Sequence, residues 1–279
     1  MKGTKKKRKM LEKSSTSYLG ARCRRFESCR PDQNRQGGCL VDFCFMGGVC
    51  VKRYGLSQEG LKLVACVTML MDHIGAVLLP QYLFLRYIGR IAFPIYCFLL
   101  AKGVHYTNNP KKYCLRLGVG TILSEIPFDL ALFGGLTFHY QSVMLTLLIA
   151  FLMALCMKHT GSVILRALWV VPFALVAEWF RTDYGGMGVV LVGLFVLTRE
   201  LPHRKLFQFV GMLPILWFTG GMWMQAAGIR MPVEMLALAA LIPIGLYSGR
   251  KSTVSPWVQR AFYLFYPVHL AVLFLIRLI

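Results

Sequence analysis

From Leu61 to Ile279 apolar residues come in runs of membrane-spanning length separated by short polar connections, without the two-residue alternation of a half-buried strand. The runs fall at about 61–79, 83–101, 113–133, 143–157, 163–180, 187–201, 206–224, 233–246 and 262–279. They predict an all-α fold, a polytopic transmembrane helix bundle of about nine spans. The fourth, sixth and eighth runs are short enough to be buried or interfacial helices instead.

Cations sort the connections into two kinds. Lys52, Arg53 and Lys62 precede the first run; Lys102, Lys111, Lys112 and Arg116 surround the second connection; Arg250, Lys251 and Arg260 occupy the eighth. The third connection, 134–142, holds no Lys or Arg. The positive-inside rule therefore places the N-terminus and the even connections in the cytoplasm.

With that orientation the embedded ionisable residues fall into register. Asp72 and His73 on the first run, Arg90 on the second and Glu125 on the third all lie ~10–12 Å from the outer ends, at a rise of ~1.5 Å per residue. Arg86, Asp129, His139, Gln141, Glu178, Arg181, Asp183 and Tyr184 lie nearer the outer face. Charges in hydrocarbon are costly and mark sites or pathways, so a polar cavity opening outward is expected. Pro94 and Pro127 stand beside Arg90 and Glu125, where each loosens its helix. His269 follows Pro267 in the last run and either faces the same cavity or bonds a backbone carbonyl.

Composition agrees with a membrane protein: 56% of the 279 residues are hydrophobic and the mean hydropathy is +0.56. The net charge of +20 lies largely in the connections and in a basic leading segment, so it reads as topology and not as nucleic-acid binding. Residues 1–52 lack any helical or strand period and are expected to be disordered. Arg25-Phe26-Glu27-Ser28 back-translates to a transfer-RNA T-arm sequence, which raises a misassigned start, with initiation near Met46, Val49 or Val51. The domain proper is then 53–279. Five of the 9 cysteines fall in the leading segment without C-x-x-C spacing and the rest sit singly in apolar runs, so neither a metal site nor disulfides are expected. Nucleophile-elbow, P-loop, dinucleotide-binding and zinc-protease patterns do not occur.

Several separated motifs, in order, carry a family resemblance. They are Met71-Asp72-His73-Ile74-Gly75, Arg86-Tyr87-Ile88-Gly89-Arg90-Ile91-Ala92-Phe93-Pro94, Ser124-Glu125-Ile126-Pro127-Phe128-Asp129, Thr182-Asp183-Tyr184-Gly185 and Phe265-Tyr266-Pro267-Val268-His269-Leu270. Over about 54–279 the chain resembles the TraX family of membrane proteins. The resemblance implies an inner-membrane acyltransferase that acetylates an amine, such as a pilin N-terminus, or another envelope acceptor from acetyl-CoA. A transporter or a non-enzymatic envelope assembly factor is the alternative.

Under the first reading His73 is the general base and Glu125 its orienter or the alternative base. Asp72 points about 100° away from His73 on the helix and pairs with Arg86 or Arg90, and Arg90 stabilises the oxyanion. Asp129, His139, Gln141, Asp183 and Arg86 line the acceptor side, and Lys111, Lys112 and Arg116 meet the CoA phosphates.

Overall fold

The computed structural model describes residues 55–226, 228–249 and 254–279; the expectations for 1–52 lie outside them. The described residues form an all-α bundle, and each predicted apolar run carries helix.

Helix α1, Gln58–Val77, starts where the Ser57 side chain accepts a bond from the Gly60 amide at 3.1 Å. The second run is broken in two, α2 at Leu83–Gly89 and α3 at Ala92–Tyr106. Pro94 has no N–H to offer the Arg90 carbonyl four residues back, so the break falls at Arg90, beside its charged group.

Helix α4, Pro110–Phe133, begins with an Asn109 cap and a first-turn proline, and ends at Gly134 with φ 75°. Helix α5 spans Val143–Lys158, α6 Val163–Leu168, α7 Val170–Trp179, α8 Gly185–Leu197 and α9 Arg204–Phe218. The last long helix, α11, runs Pro256–Arg277 and packs on α4 and α1. Helices α3, α5 and α8 pack on one another at the centre and bury Ile95, Phe151, Met153, Leu191 and Phe195.

Two runs depart from expectation. The run placed at 206–224 stops as helix at Phe218, and a hairpin follows, with β1 Trp223–Ala226 antiparallel to β2 Ile229–Pro232. Gly220 (φ 63°) and Gly221 (φ 105°) make the turn into it, a backbone that a β-carbon resists. The run at 233–246 is a 3-10 helix, Val233–Ala240, continued by α10, Leu241–Gly245. At ~2 Å per residue the 3-10 part rises about 16 Å, and with α10 the segment covers about 24 Å, more than the same residues would as α-helix.

Among the described residues three helical segments are both long and apolar enough to cross a membrane: Gln58–Val77, Leu83–Tyr106 and Trp257–Arg277. Exposed Ile122, Ile164, Leu175, Phe218 and Leu275 fit an apolar solvent around the bundle.

Helices α1 and α2 meet closely because glycine stands at their contact. A β-carbon on Gly89 would run into the Asp72 side chain, and one on Gly75 would lie 2.8 Å from Leu85 Cβ. Gly89→Ala is expected to lower stability by about 1–3 kcal/mol through overpacking. Thermal unfolding in detergent checks this against Gly118→Ala, whose added methyl meets nothing within 4 Å. Equal melting of the two variants would disprove the close-approach account.

Candidate functional site

Two polar assemblies grow from neighbouring residues of α1, since Asp72 and His73 project about 100° apart. On one side Asp72 accepts from Arg86 Nη1 at 2.7 Å and from Arg90 Nη2 at 3.2 Å. Arg90 also donates through Nη1 to Glu234 Oε1 at 3.1 Å. The chain Arg86–Asp72–Arg90–Glu234 thus ties α1 to α2, to the break at Arg90 and to the first turn of the 3-10 helix. Carboxylates and guanidinium groups at this depth are tolerated because each faces an opposite charge.

This chain borders a cavity of about 260 Å³. Arg86, Arg90, Asp183, Tyr184 and Glu234 supply most of its polar wall, and Thr219 to Met222 the backbone at the entrance to the hairpin. A narrower apolar crevice between Phe93, Leu191, Ile215 and Ala237 adjoins it, and Arg90, Tyr184, Thr219 and Glu234 border both. The Tyr184 ring, which borders both spaces, stacks on Phe93 of the apolar one at 3.6 Å. Asp183, on the connection between α7 and α8, opens into the cavity. Enclosure by protein pushes its carboxyl up to about 6, while Arg90 pulls the other way and Asp72 adds repulsion.

On the other side of α1, His73 Nδ1 lies 2.8 Å from His269 Nε2, and His269 Nδ1 lies 2.7 Å from the Phe265 carbonyl. A carbonyl only accepts, so His269 Nδ1 carries the proton and donates to it. In the neutral ring His269 Nε2 is then an acceptor, and His73 Nδ1–H donates to it. Two hydrogen bonds therefore fix the His73 tautomer and leave Nε2 as its basic nitrogen. Both histidines are buried, at 8% and 6% exposure, and the Tyr266 ring stands edge-on to His73 at 5.9 Å.

The other predicted site residues are placed differently. Glu125 does not touch His73: its two oxygens each lie 3.3 Å from the Ser142 amide, so it caps the start of α5, and His269 occupies the orienting position. Arg90 is held between two carboxylates, which absorb the charge an oxyanion would need. Asp129 is fully buried and binds the Thr137 and Phe138 amides at 2.9 and 2.7 Å, holding the third connection instead of a ligand.

His139 is exposed and meets Arg181 at 2.8 Å, and Gln141 pairs through its backbone with Arg181 and Asp183. Lys111 and Lys112 are exposed on the first turn of α4, and the Arg116 guanidinium lies 5.5 Å from the rings of Tyr113 and Tyr263. Among the described residues no cluster of three or more His, Cys, Asp or Glu is arranged to hold a metal ion.

Glu234 and Tyr266 are the residues that the sequence reading passed over. Glu234 is an acid just after Pro232 at the head of a short apolar run, the same signal that marked Asp72, and its partner Arg90 is 144 residues away.

The comparisons with known proteins bear on the whole of this region. A probable fimbrial assembly protein, FimC of serogroup H1, from Dichelobacter nodosus is 29% identical over 234 residues, covering 76% of this chain and 92% of the relative. An uncharacterised protein of Rickettsia prowazekii (strain Madrid E) is 27% identical over 162 residues, 55% of this chain and 60% of its own length. No solved structure matches. The family described as TraX protein matches residues 57–277, a stretch that contains α1 through α11, the ion chain and the histidine pair. The chain is a member of the TraX family.

Proposed function

We propose that this protein is an integral-membrane acyltransferase of the bacterial inner membrane, which moves an acetyl group from acetyl-CoA to an amine, such as the N-terminus of a pilin-like subunit, or to another envelope acceptor. The observation that carries the reading is the hydrogen-bonded series Phe265 carbonyl, His269, His73, which presents one imidazole nitrogen as a base in a water-poor interior. The name of the Dichelobacter nodosus relative supports an acceptor connected with fimbriae.

In this reading His73 Nε2 removes the proton as the acceptor attacks the thioester carbonyl, and His269 steadies the imidazolium that forms. Arg86, Asp183 and Glu234 line the cavity on the Asp72 side of α1, which holds the part of the acceptor that does not react, while the reacting atom reaches past α1 to His73. Lys111, Lys112 and Arg116 face the cytoplasm and lie closest in charge to what CoA phosphates require. Their side follows from the cation bias of the connections, so a reporter at position 107 should be cytoplasmic and one at 136 external. Labelling of both from the same side would remove the outward cavity from the scheme.

The relative's name also favours a second reading, an assembly factor without chemistry. Purified protein in nanodiscs, given acetyl-CoA and a pilin-like N-terminal peptide, separates the two. Release of free CoA together with a peptide heavier by one acetyl group is expected. Assembly defects in the deletion strain with unchanged peptide and glycan masses would favour the assembly factor.

A further inference from the structure

The start of α5 gathers buried hydroxyls that have no hydrogen-bond partner among the described residues. Ser142 Oγ and Thr146 Oγ1 lie in fully buried residues, and Tyr266 Oη in a residue 4% exposed; none of the three has a partner within hydrogen-bond geometry among the described residues. Ser142 stands at the N-cap of this helix without a side-chain cap bond. The Ser142 amide is taken by Glu125 and the Leu145 amide by the Ser142 carbonyl, which leaves the first-turn amides of Val143 and Met144. The Tyr266 hydroxyl faces the Val143 amide, and its ring is the one that stands edge-on to His73 at 5.9 Å. A buried phenol and amides without a partner in the helix, at the positive end of a sixteen-residue helix, form a set of donors, and such a set is costly to bury unless something accepts from it.

We infer that the Tyr266 hydroxyl and the first-turn amides of α5 hold the acyl carbonyl oxygen and the oxyanion it becomes. The inference rests on the acyl-transfer reading and replaces Arg90 in that role. As the acceptor nitrogen or oxygen bonds to the thioester carbon, the carbonyl π pair moves onto oxygen and His73 Nε2 takes the acceptor's proton. Tyr266 O–H and the amides donate to the O⁻. When the carbonyl re-forms, the carbon–sulfur bond breaks and the thiolate leaves with the proton from His73, giving the acetylated acceptor and free CoA. Glu125, on the neighbouring amide, is a like charge that this site works against.

The test uses full-length protein in nanodiscs and methyl methylphosphonate as probe, an anion whose tetrahedral phosphorus carries the methyl group and the O⁻ as the adduct carbon does. Wild type should melt at a higher temperature with the probe, Tyr266→Phe should lose that rise, and Glu125→Gln should bind the probe several-fold more tightly. In turnover Tyr266→Phe should lower kcat by about 100-fold with KM little changed, a split that a packing role would not produce.

Probe binding lost in Tyr266→Phe, in a wild type that transfers no acetyl group, would keep the anion site and remove the acyltransferase. Turnover and probe binding both within a few-fold of wild type in Tyr266→Phe would overturn the site, leaving the enzyme reading untouched. Should that variant fail to accumulate, 3-fluorotyrosine at position 266 reports instead: its fluorine resonance should shift on adding the probe, and an unmoved resonance at saturation overturns the inference.

Discussion

His73→Ala is expected to lower acetyl transfer by about two orders of magnitude or more while leaving membrane insertion intact. The loss should be this large because His73 holds the basic nitrogen and the series of bonds behind it has no substitute: Asp72 turns to the other side of α1, and Glu125 is engaged with Ser142. His269→Ala should cost less, about tenfold to 100-fold, since it removes the orienting acceptor but leaves the base. His269→Gln offers an acceptor near the same place and should recover part of the loss. The double variant should be little worse than His73→Ala, as two residues acting in one step are not additive. Turnover in the four proteins, measured at equal membrane content, decides the matter. Additive losses would separate the histidines into independent roles, and a His73→Ala protein within a few-fold of wild type would remove the pair from the chemistry.

Much of the bundle can be read from hydropathy, because a lipid-facing helix has to be apolar along its length and each run shows it. What hydropathy does not encode is how an apolar run is wound. The run at 233–246 has the same composition whether it is α-helical or stretched as 3-10, and the helix at 206–224 ends where two glycines permit a turn that a count of apolar residues does not register.

The site was legible as a set of residues and less so as a set of contacts. Depth along the first three runs singled out Asp72, His73 and Arg90, and the helix angle between Asp72 and His73 placed the Arg pairs on one side. The partner of His73 lies 196 residues on, at a position set only by how α11 packs on α1, so Glu125 stood as the nearer choice. Asp129 shows the opposite failure. A buried acid near the outer face is chemically suited to a ligand, and only the fold reveals that two loop amides already hold its Oδ2.

Arg90→Met should cost about 3–5 kcal/mol of stability, more than any other single change in the ion chain. Arg90 lies at the break between α2 and α3 and holds Asp72 of α1 and Glu234 of the 3-10 helix at once. Removing its charge leaves Asp72 with Arg86, but strands Glu234, 7% exposed and already with one oxygen unpaired. Glu234→Gln alone should cost less, because Arg90 keeps Asp72 as counter-ion and the amide can still accept a bond. Adding Glu234→Gln to Arg90→Met removes the stranded charge, so the double variant should be more stable than Arg90→Met. Sodium dodecyl sulfate titration of the three variants in mixed micelles gives the coupling directly. Purely additive costs would show that Arg90 and Glu234 do not bond in the folded protein. A favourable coupling would make the 3-10 helix part of the same unit as α1, which keeps the cavity wall between Arg90 and Glu234 in place while its contents change.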